Sequence, residues 1–240
     1  MPAPTPTPVY IVASGELAAA GASLAAVASE PVSLSLDSYQ ACLERVSSGF
    51  AEAALVWGPE PAAHEVYITD LVGADGLAVV VHPSNQVGPL TVEDLRAIFA
   101  GAVSDWWQYG QSMGQVQPVA RGAGVGTRLA FAELVMGEAN PSSSTVVAAS
   151  DDGVLDYVAA NPAAIGYVAA SNLREGVRAL RVGDERPEPQ KVRDGLYPLM
   201  VGVWLVSRPT AGGDAVWSMV QSELGQEALQ RYLAGPEALQ

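Results

Sequence analysis

The sequence predicts an α/β protein whose helices cover a mainly parallel sheet. From Val9 onward, short β-rich segments alternate with segments of helical spacing, an order that is typical of parallel sheets. A glycine-rich turn, Arg121–Thr127, stands between a predicted strand and a predicted helix, which is where such sheets bind ligands. The 240 residues are 49% hydrophobic and 16% charged, so the chain can bury a large core in one domain or in two lobes.

The first part of the chain predicts strands alternating with helices after a proline-rich start. The predicted strands are Val9–Ala13, Val32–Leu36 and Ala53–Trp57, and the predicted helices are Glu16–Ser29 and Tyr39–Ser48. Residues 1–8 have proline at every second position and predict an extended tether. We expect this tether to join the domain to an anchor in an exported protein whose signal has been removed. An ordinary disordered tail fits the same composition.

The middle of the chain predicts a strand, a capped helix and the strand before the glycine-rich turn. Leu77–Val81 is an apolar strand, which the polar residues after it and a proline bring to an end. Thr91 is the expected N-cap of a helix over Val92–Ala100, whose acidic first turn complements the helix dipole. A strand at Val116–Ala120 leads into the turn, and a helix follows it through Met136.

The last part of the chain predicts two further strands among helices. We expect helices over Asp152–Ala160, Ala211–Leu224 and Gln226–Leu233, strands at Ala164–Val168 and Val201–Val206, and an irregular segment over Arg174–Gln190. The acidic pair Asp151 and Asp152 resembles a catalytic carboxylate pair. We interpret it as the start of a helix with an acidic first turn, because carboxylates are favoured there.

The turn Arg121–Thr127 has the composition of an anion site. Its glycines let backbone N–H groups approach a ligand, and the start of the next helix adds unpaired donors and the positive end of the dipole. Arg121 contributes a planar guanidinium that suits oxyanions. A tight loop without a ligand explains the same glycines, but the position at the end of a strand favours binding.

The composition argues against several other functions. The formal net charge is −14 with only 12 Lys and Arg, which disfavours nucleic acid as a partner. A single cysteine and two histidines far apart predict no disulfide, no metal site and no cofactor. An enzyme is disfavoured because no base stands near Ser14, Ser38 or Thr127 in the sequence. No apolar run reaches the roughly 18 residues that span a bilayer.

Several motifs, taken in order along the chain, carry a family resemblance. They are Asp75–Val81, Leu90–Gly101, Trp106, Arg121–Thr127 with Phe131, Ala164–Val168 and Tyr197–Leu199. In this order and spacing they resemble the phosphate-type periplasmic solute-binding proteins that serve ABC importers. The resemblance covers the chain from about Val9 onward and is most specific in the middle.

The resemblance implies a two-lobe fold of the type II periplasmic-binding-protein kind, with the ligand in the cleft between the lobes. We place the hinge crossovers at Leu77–Val81 and near Tyr197–Val201. Lobe one then comprises residues 9–80 and 196–240, and lobe two comprises residues 81–195. The resemblance further implies a small anionic ligand, the membrane subunits of an ABC importer as partners, and a place outside the cytoplasm. We expect a monomer, because such a protein has to open and close freely.

The resemblance assigns the glycine-rich turn residue by residue. Arg121, Gly126 and Thr127 match the family's oxyanion motif, in which the arginine pairs with ligand oxygens and the other two residues donate hydrogen bonds. Val125 replaces the family's serine and removes a hydroxyl donor. Ala123 replaces an acidic residue, so we expect Arg121 to lack that orienting partner.

In lobe one, the resemblance places Ser14 and Ser38 near the family's binding turns and Trp57 where the family has a cleft aspartate. That aspartate accepts a hydrogen bond from a protonated phosphate oxygen and repels sulfate. Trp57 therefore predicts either an altered ligand or a lost site, and a packing role is the alternative. We expect a solute-binding protein for a small anion; a sensory or interaction module without transport is the second hypothesis.

Overall fold

The computed structural model describes residues 8–239, so the predicted tether lies outside the described residues except for Pro8. The strands are β1 Val9–Ser14, β2 Val32–Asp37, β3 Ala53–Gly58, β4 Ile68–Val81, β5 Gln117–Arg121, β6 Val146–Ala148, β7 Ala164–Ala169, β8 Arg178–Ala179 and β9 Met200–Ser207. The helices are α1 Ala18–Ala26, α2 Tyr39–Ser47, α3 Val92–Phe99, α4 Gly126–Phe131, α5 Asp151–Ala160, α6 Pro189–Arg193, α7 Ala211–Gln221 and α8 Glu223–Gln230.

The strands of the described chain pair in the order β2-β1-β3-β9-β4-β7-β5-β6, and β8 pairs with β4. Parallel pairing joins β1 to β2 and β3, and also joins β5 to β6 and β7. The pairs that β4 and β9 make are antiparallel. This architecture is the predicted α/β class, with parallel strands on the outside and antiparallel strands in the middle.

Strand β4 connects the two halves of this structure. Residues Ile68–Gly76 pair with β9, whereas Leu77–Val81 pair with β7, so the partner changes between Gly76 and Leu77. We call β1, β2, β3, β9 and Ile68–Gly76 the first strand group, and Leu77–Val81 with β5 to β8 the second strand group. The two strand groups give the fold the two-lobe form that the resemblance implies.

Four regions differ from the elements predicted from the sequence. β4 begins at Ile68, well before Leu77, because pairing with β9 overrides the low strand propensity of its aspartates and glycines. The first helix begins at Ala18 after a short 3₁₀ turn over Gly15–Leu17. The short β6 was not predicted, and the segment predicted to be irregular contains β8 and the start of α6.

Among the described helices, none is long and apolar enough to cross a membrane.

An aromatic stack fixes α4 on the second strand group. Phe131 of α4 stacks on Tyr167 of β7, with ring centroids 4.0 Å apart, and Phe99 of α3 packs against Phe131 at 4.5 Å. All three rings are almost completely buried, and burial of such rings is a large apolar gain. The first turn of α4, which ends the glycine-rich turn, is therefore held firmly against the second strand group.

Candidate functional site

The start of α4 lies directly against the first strand group. Gly126 packs so closely on Trp57 of β3 that a Cβ at this position would overlap the Trp57 carbonyl oxygen. Nearby, the backbone N–H of Gln40 donates to the carbonyl oxygen of Gly124 at 3.1 Å. Gly124 has a φ of 79°, which favours glycine. The two strand groups are thus closed on each other at the glycine-rich turn.

The carboxylate of Glu16 occupies the start of α4. Its Oε1 accepts a hydrogen bond from the backbone N–H of Thr127 at 3.1 Å, although the two residues are 111 positions apart. Glu16 comes from the 3₁₀ turn after β1 and is only 4% exposed. Val125 is the N-cap of α4 and provides no side-chain hydrogen bond. A carboxylate from the turn after β1 therefore satisfies a donor that the sequence predicts for a ligand.

Glu16 is held in this place by few hydrogen bonds. Burial raises its pKa above 4.5, and the negative charge of Asp151 raises it further, while backbone hydrogen bonds and Arg121 oppose these effects. Within residues 8–239, its second oxygen, Oε2, is buried without a hydrogen-bond partner, and so is the hydroxyl of Thr127. Buried polar atoms without partners cost free energy, so this contact is not fully satisfied.

Arg121 is oriented by a partner from α5. Its guanidinium forms an ion pair with Asp151 and also donates to the carbonyl oxygen of Ala149 at 3.1 Å. The two charged side chains are only 10% and 8% exposed. Ala123 provides no carboxylate for Arg121, and Asp151 orients the guanidinium in its place. In the described chain, Arg121 Nε is buried and makes no hydrogen bond.

Asn172 connects these groups across the closed cleft. Its side-chain amide donates to the Asp151 carboxylate at 3.1 Å and to the Glu16 carbonyl oxygen at 3.2 Å. Asp151 also accepts a hydrogen bond from the backbone N–H of Ala169 at 3.2 Å. A single network therefore joins the turn after β1 to the carboxyl end of β7 and the start of α5.

Trp57 and Asp75 form a second buried contact close to the crossover. The Trp57 ring is fully buried, and its indole N–H donates to Asp75 at 2.9 Å. Asp75 also accepts hydrogen bonds from the Ser171 hydroxyl at 2.7 Å and from the Gly76 N–H at 2.7 Å. Burial raises the pKa of Asp75 to about 6 against the effect of these hydrogen bonds. The aspartate next to Trp57 thus comes from β4, at the point where β4 changes partner.

The predicted serines donate no hydrogen bond to the start of α4. Ser14 is fully buried, and its hydroxyl accepts a hydrogen bond from the Trp57 backbone N–H at 3.0 Å. Ser38 is the N-cap of α2 and accepts from the Ala41 N–H at 3.3 Å. The structure therefore brings together Arg121, Gly126, Thr127 and Val125, whereas Ser14 bonds to β3 and Ser38 caps α2.

A small cavity remains beside the ion pair. Its volume is about 210 Å³, and it is lined by Gly15, Ala18, Arg121, Ser150, Asp151, Asp152 and Asn172. Neither Glu16 nor Thr127 lines it, so it lies next to the start of α4 and not on it. Its size is below the usual range for organic ligands, and carboxylates form part of its wall.

Sequence reasoning missed Glu16, Asp75 and Asn172. The only local signal for Glu16 was an acidic residue directly after Gly15, two positions beyond the serine assigned to the first binding turn. Asp75 is the first residue of the motif Asp75–Val81, but no pattern in the sequence connects it with Trp57. All three residues act through contacts between distant parts of the chain.

Comparison with known proteins agrees with this architecture. The model of the PBP superfamily domain matches residues 41–227. The phosphate-binding protein PstS of Bacillus subtilis (strain 168) is 30% identical over 145 residues, which cover 60% of this chain and 47% of that protein. The chain therefore spans about half the length of this curated relative.

Two solved structures share the fold over nearly their full length. One is a Clostridium perfringens protein with bound phosphate, described as a phosphate ABC transporter substrate-binding protein. The TM-score between the two structures is 0.85 at 21% identity, and the match covers 95% of this chain and 99% of that chain. The other is an ABC-type phosphate transport receptor from Vibrio cholerae, with a TM-score of 0.79 at 22% identity, covering 93% and 98%. At these identities, the likeness shows the fold alone.

Proposed function

Because this chain belongs to the PBP superfamily, we propose that it is an extracytoplasmic solute-binding protein that presents a small oxyanion to an ABC importer. One observation carries the proposal: the Thr127 N–H at the start of α4 already holds a carboxylate oxygen at 3.1 Å. This position has the donors and the dipole that an anion requires. The names of the similar proteins support phosphate as the anion to test first.

The charges around the site favour an oxyanion that still carries a proton. Arg121 is paired with Asp151, so the positive charge of the turn is already balanced by a carboxylate. A fully ionised anion such as sulfate is repelled by the carboxylates of Asp151 and Asp152 beside Arg121 and has no proton to donate to them. Protonated phosphate and small carboxylic acids do have one. We therefore propose that phosphate binds in preference to sulfate.

We also propose the lobe boundaries that the resemblance implies, namely residues 9–80 with 196–240 and residues 81–195. The partner change in β4 supports the first crossover, although it lies between Gly76 and Leu77. The Tyr197 hydroxyl donates to the Leu77 carbonyl oxygen at 3.0 Å, which supports a second crossover beside the first. A protein that moves about such a hinge is proposed to act as a monomer.

The proposal is tested by thermal unfolding and calorimetric titration with phosphate, sulfate, molybdate and acetate at low salt. Phosphate is expected to raise the melting temperature by mass action. Arg121→Lys keeps the charge beside Asp151 but loses the planar fork, so it should bind at least about tenfold more weakly. Arg45→Lys is the matched control, because Arg45 of α2 forms an ion pair with Asp37 of β2 at the protein surface. Absence of binding to every anion would contradict the proposed function.

A second candidate function is a sensory or interaction module whose cleft stays closed. The position of Glu16 at the start of α4 favours it, since a carboxylate of the chain itself satisfies the donor of the anion site. Small-angle scattering separates the two candidates. A solute-binding protein changes its radius of gyration with its ligand, whereas a permanently closed module does not.

A further inference from the structure

We propose, on the basis of the function proposed above, that Glu16 is a built-in occupant of the anion site. Its carboxylate joins the two strand groups when no solute is bound, and a free anion has to displace it. Glu16 thereby sets both the affinity of the site and the resting state of the cleft.

The geometry of Glu16 is that of a ligand supplied by the opposite side of the cleft. Oε1 meets the Thr127 N–H at 3.1 Å, and the side chain reaches this donor from the turn after β1. Val125 leaves the start of α4 without a side-chain cap. A carboxylate oxygen has the charge of an oxyanion, so Glu16 satisfies the Thr127 N–H that a bound anion would use.

The start of α4 has no room for Glu16 and a free anion together. A Cβ at Gly126 would overlap the Trp57 carbonyl oxygen and would lie 3.2 Å from Glu16 Oε1. Both Glu16 and Thr127 are buried, and the 210 Å³ cavity is lined by neither of them. An anion that binds the Thr127 N–H therefore requires Glu16 to leave.

The contact of Glu16 is weak enough to be displaced. Oε2 of Glu16 and the hydroxyl of Thr127 are each buried without a hydrogen-bond partner in the described part of the chain. The charged groups that act on Glu16 are Asp151, which repels it, and Arg121, which is paired with Asp151. A tetrahedral oxyanion has more oxygens than a carboxylate, so it can accept from both the Thr127 N–H and the hydroxyl. Displacement of Glu16 thus exchanges an unsatisfied contact for a satisfied one.

The test compares phosphate binding and cleft opening in Glu16→Ala and in the unchanged chain. Removal of Glu16 should raise the phosphate affinity by at least about tenfold, the gain expected if the self-occupied form makes up about nine tenths of the free protein. In small-angle scattering without phosphate, the variant should have a larger radius of gyration. Glu44→Ala is the control, because Glu44 lies exposed on α2, and it should change neither quantity.

The outcomes separate this inference from the proposed function. If Glu16→Ala opens the cleft but neither protein binds any anion, Glu16 does set the resting state of the cleft, but the displacement by an anion and the proposed function are both overturned. If the unchanged chain binds phosphate and the variant binds equally or more weakly, the inference is overturned and the proposed function holds. If the variant neither opens nor gains affinity, the inference is overturned as well. Should Glu16→Ala fail to fold, Glu16→Leu, which removes both oxygens at similar size, decides by the same two measurements.

Discussion

Replacement of Gly126 by alanine tests the closed contact between the two strand groups. The added Cβ would overlap the Trp57 carbonyl oxygen and lie 3.0 Å from the carbonyl carbon, and real Cβ atoms essentially never come closer than 3.0 Å. Both obstacles are backbone atoms, so no side-chain rotation relieves them. The strand groups have to separate by about 1 Å at this point, because a close-packed interior cannot absorb the extra methyl group.

The cost follows from the hydrogen bonds that this separation breaks. One is the bond between the Thr127 N–H and the Glu16 carboxylate, and the other joins Gln40 to Gly124. Together they are worth about 2–4 kcal/mol, since the first involves a charged group. Alanine in a helix recovers about 0.5–1 kcal/mol relative to glycine. The net loss of about 2 kcal/mol corresponds to a fall in melting temperature of about 4–8 °C for a chain of this size.

The assay is thermal unfolding with small-angle scattering on the same samples. Gly122→Ala is the matched control, because it lies in the same turn, has no positive φ, and has no atom within 4 Å of the Cβ position. The control should unfold and scatter like the unchanged chain. If Gly126→Ala matches the control in both measurements, the strand groups are not closed at Trp57 in solution and the reasoning is refuted.

Two further predictions concern the crossover and the packing of α4. Because burial raises the pKa of Asp75 from 3.8 to about 6, the folded state holds this proton more tightly than the unfolded state. The free energy of unfolding should therefore fall by up to about 3 kcal/mol as the pH rises from about 4 to about 6. In urea titrations across this range, Asp75→Asn should show a smaller fall, with Glu16 providing the remainder; an equal fall would contradict the assignment. Phe131→Ala should lower the free energy of unfolding by about 3–5 kcal/mol, because its ring is stacked on Tyr167. The control Phe50→Ala, at an exposed position, should lower the free energy of unfolding far less. Equal losses for the two variants would disprove the anchoring role of the stack.

The sequence predicts those elements whose signals are local. The helix α3 follows from Thr91 and its acidic first turn, and the structure has the full capping box between Thr91 and Asp94. β9 follows from a continuous apolar run. The first part of β4 was missed, because Asp70, Gly73 and their neighbours have low strand propensity and extend only through pairing with β9. Tertiary pairing is not visible in a local pattern.

The same distinction applies to the candidate site. The turn with Arg121, Gly126 and Thr127 could be found because its glycines, its strand and its helix are adjacent in the sequence. The partner of Arg121 lies 30 positions later, and the carboxylate at Thr127 comes from 111 positions earlier. Composition and local spacing do not show contacts between residues that are so far apart in the sequence. The role of Glu16 could therefore be found only from the folded chain.

The unbroken course of β4 makes the two halves of the protein inseparable. β9 pairs with the first part of β4, and β7 pairs with the last five residues of β4. Each half of the protein therefore contains part of the same strand. A fragment that contained only residues 81–195 would lack most of the strand that covers β7. Its exposed edge would invite pairing with other chains. Dissecting this protein into independently expressed halves should therefore yield aggregates, and the intact chain should unfold in one cooperative step.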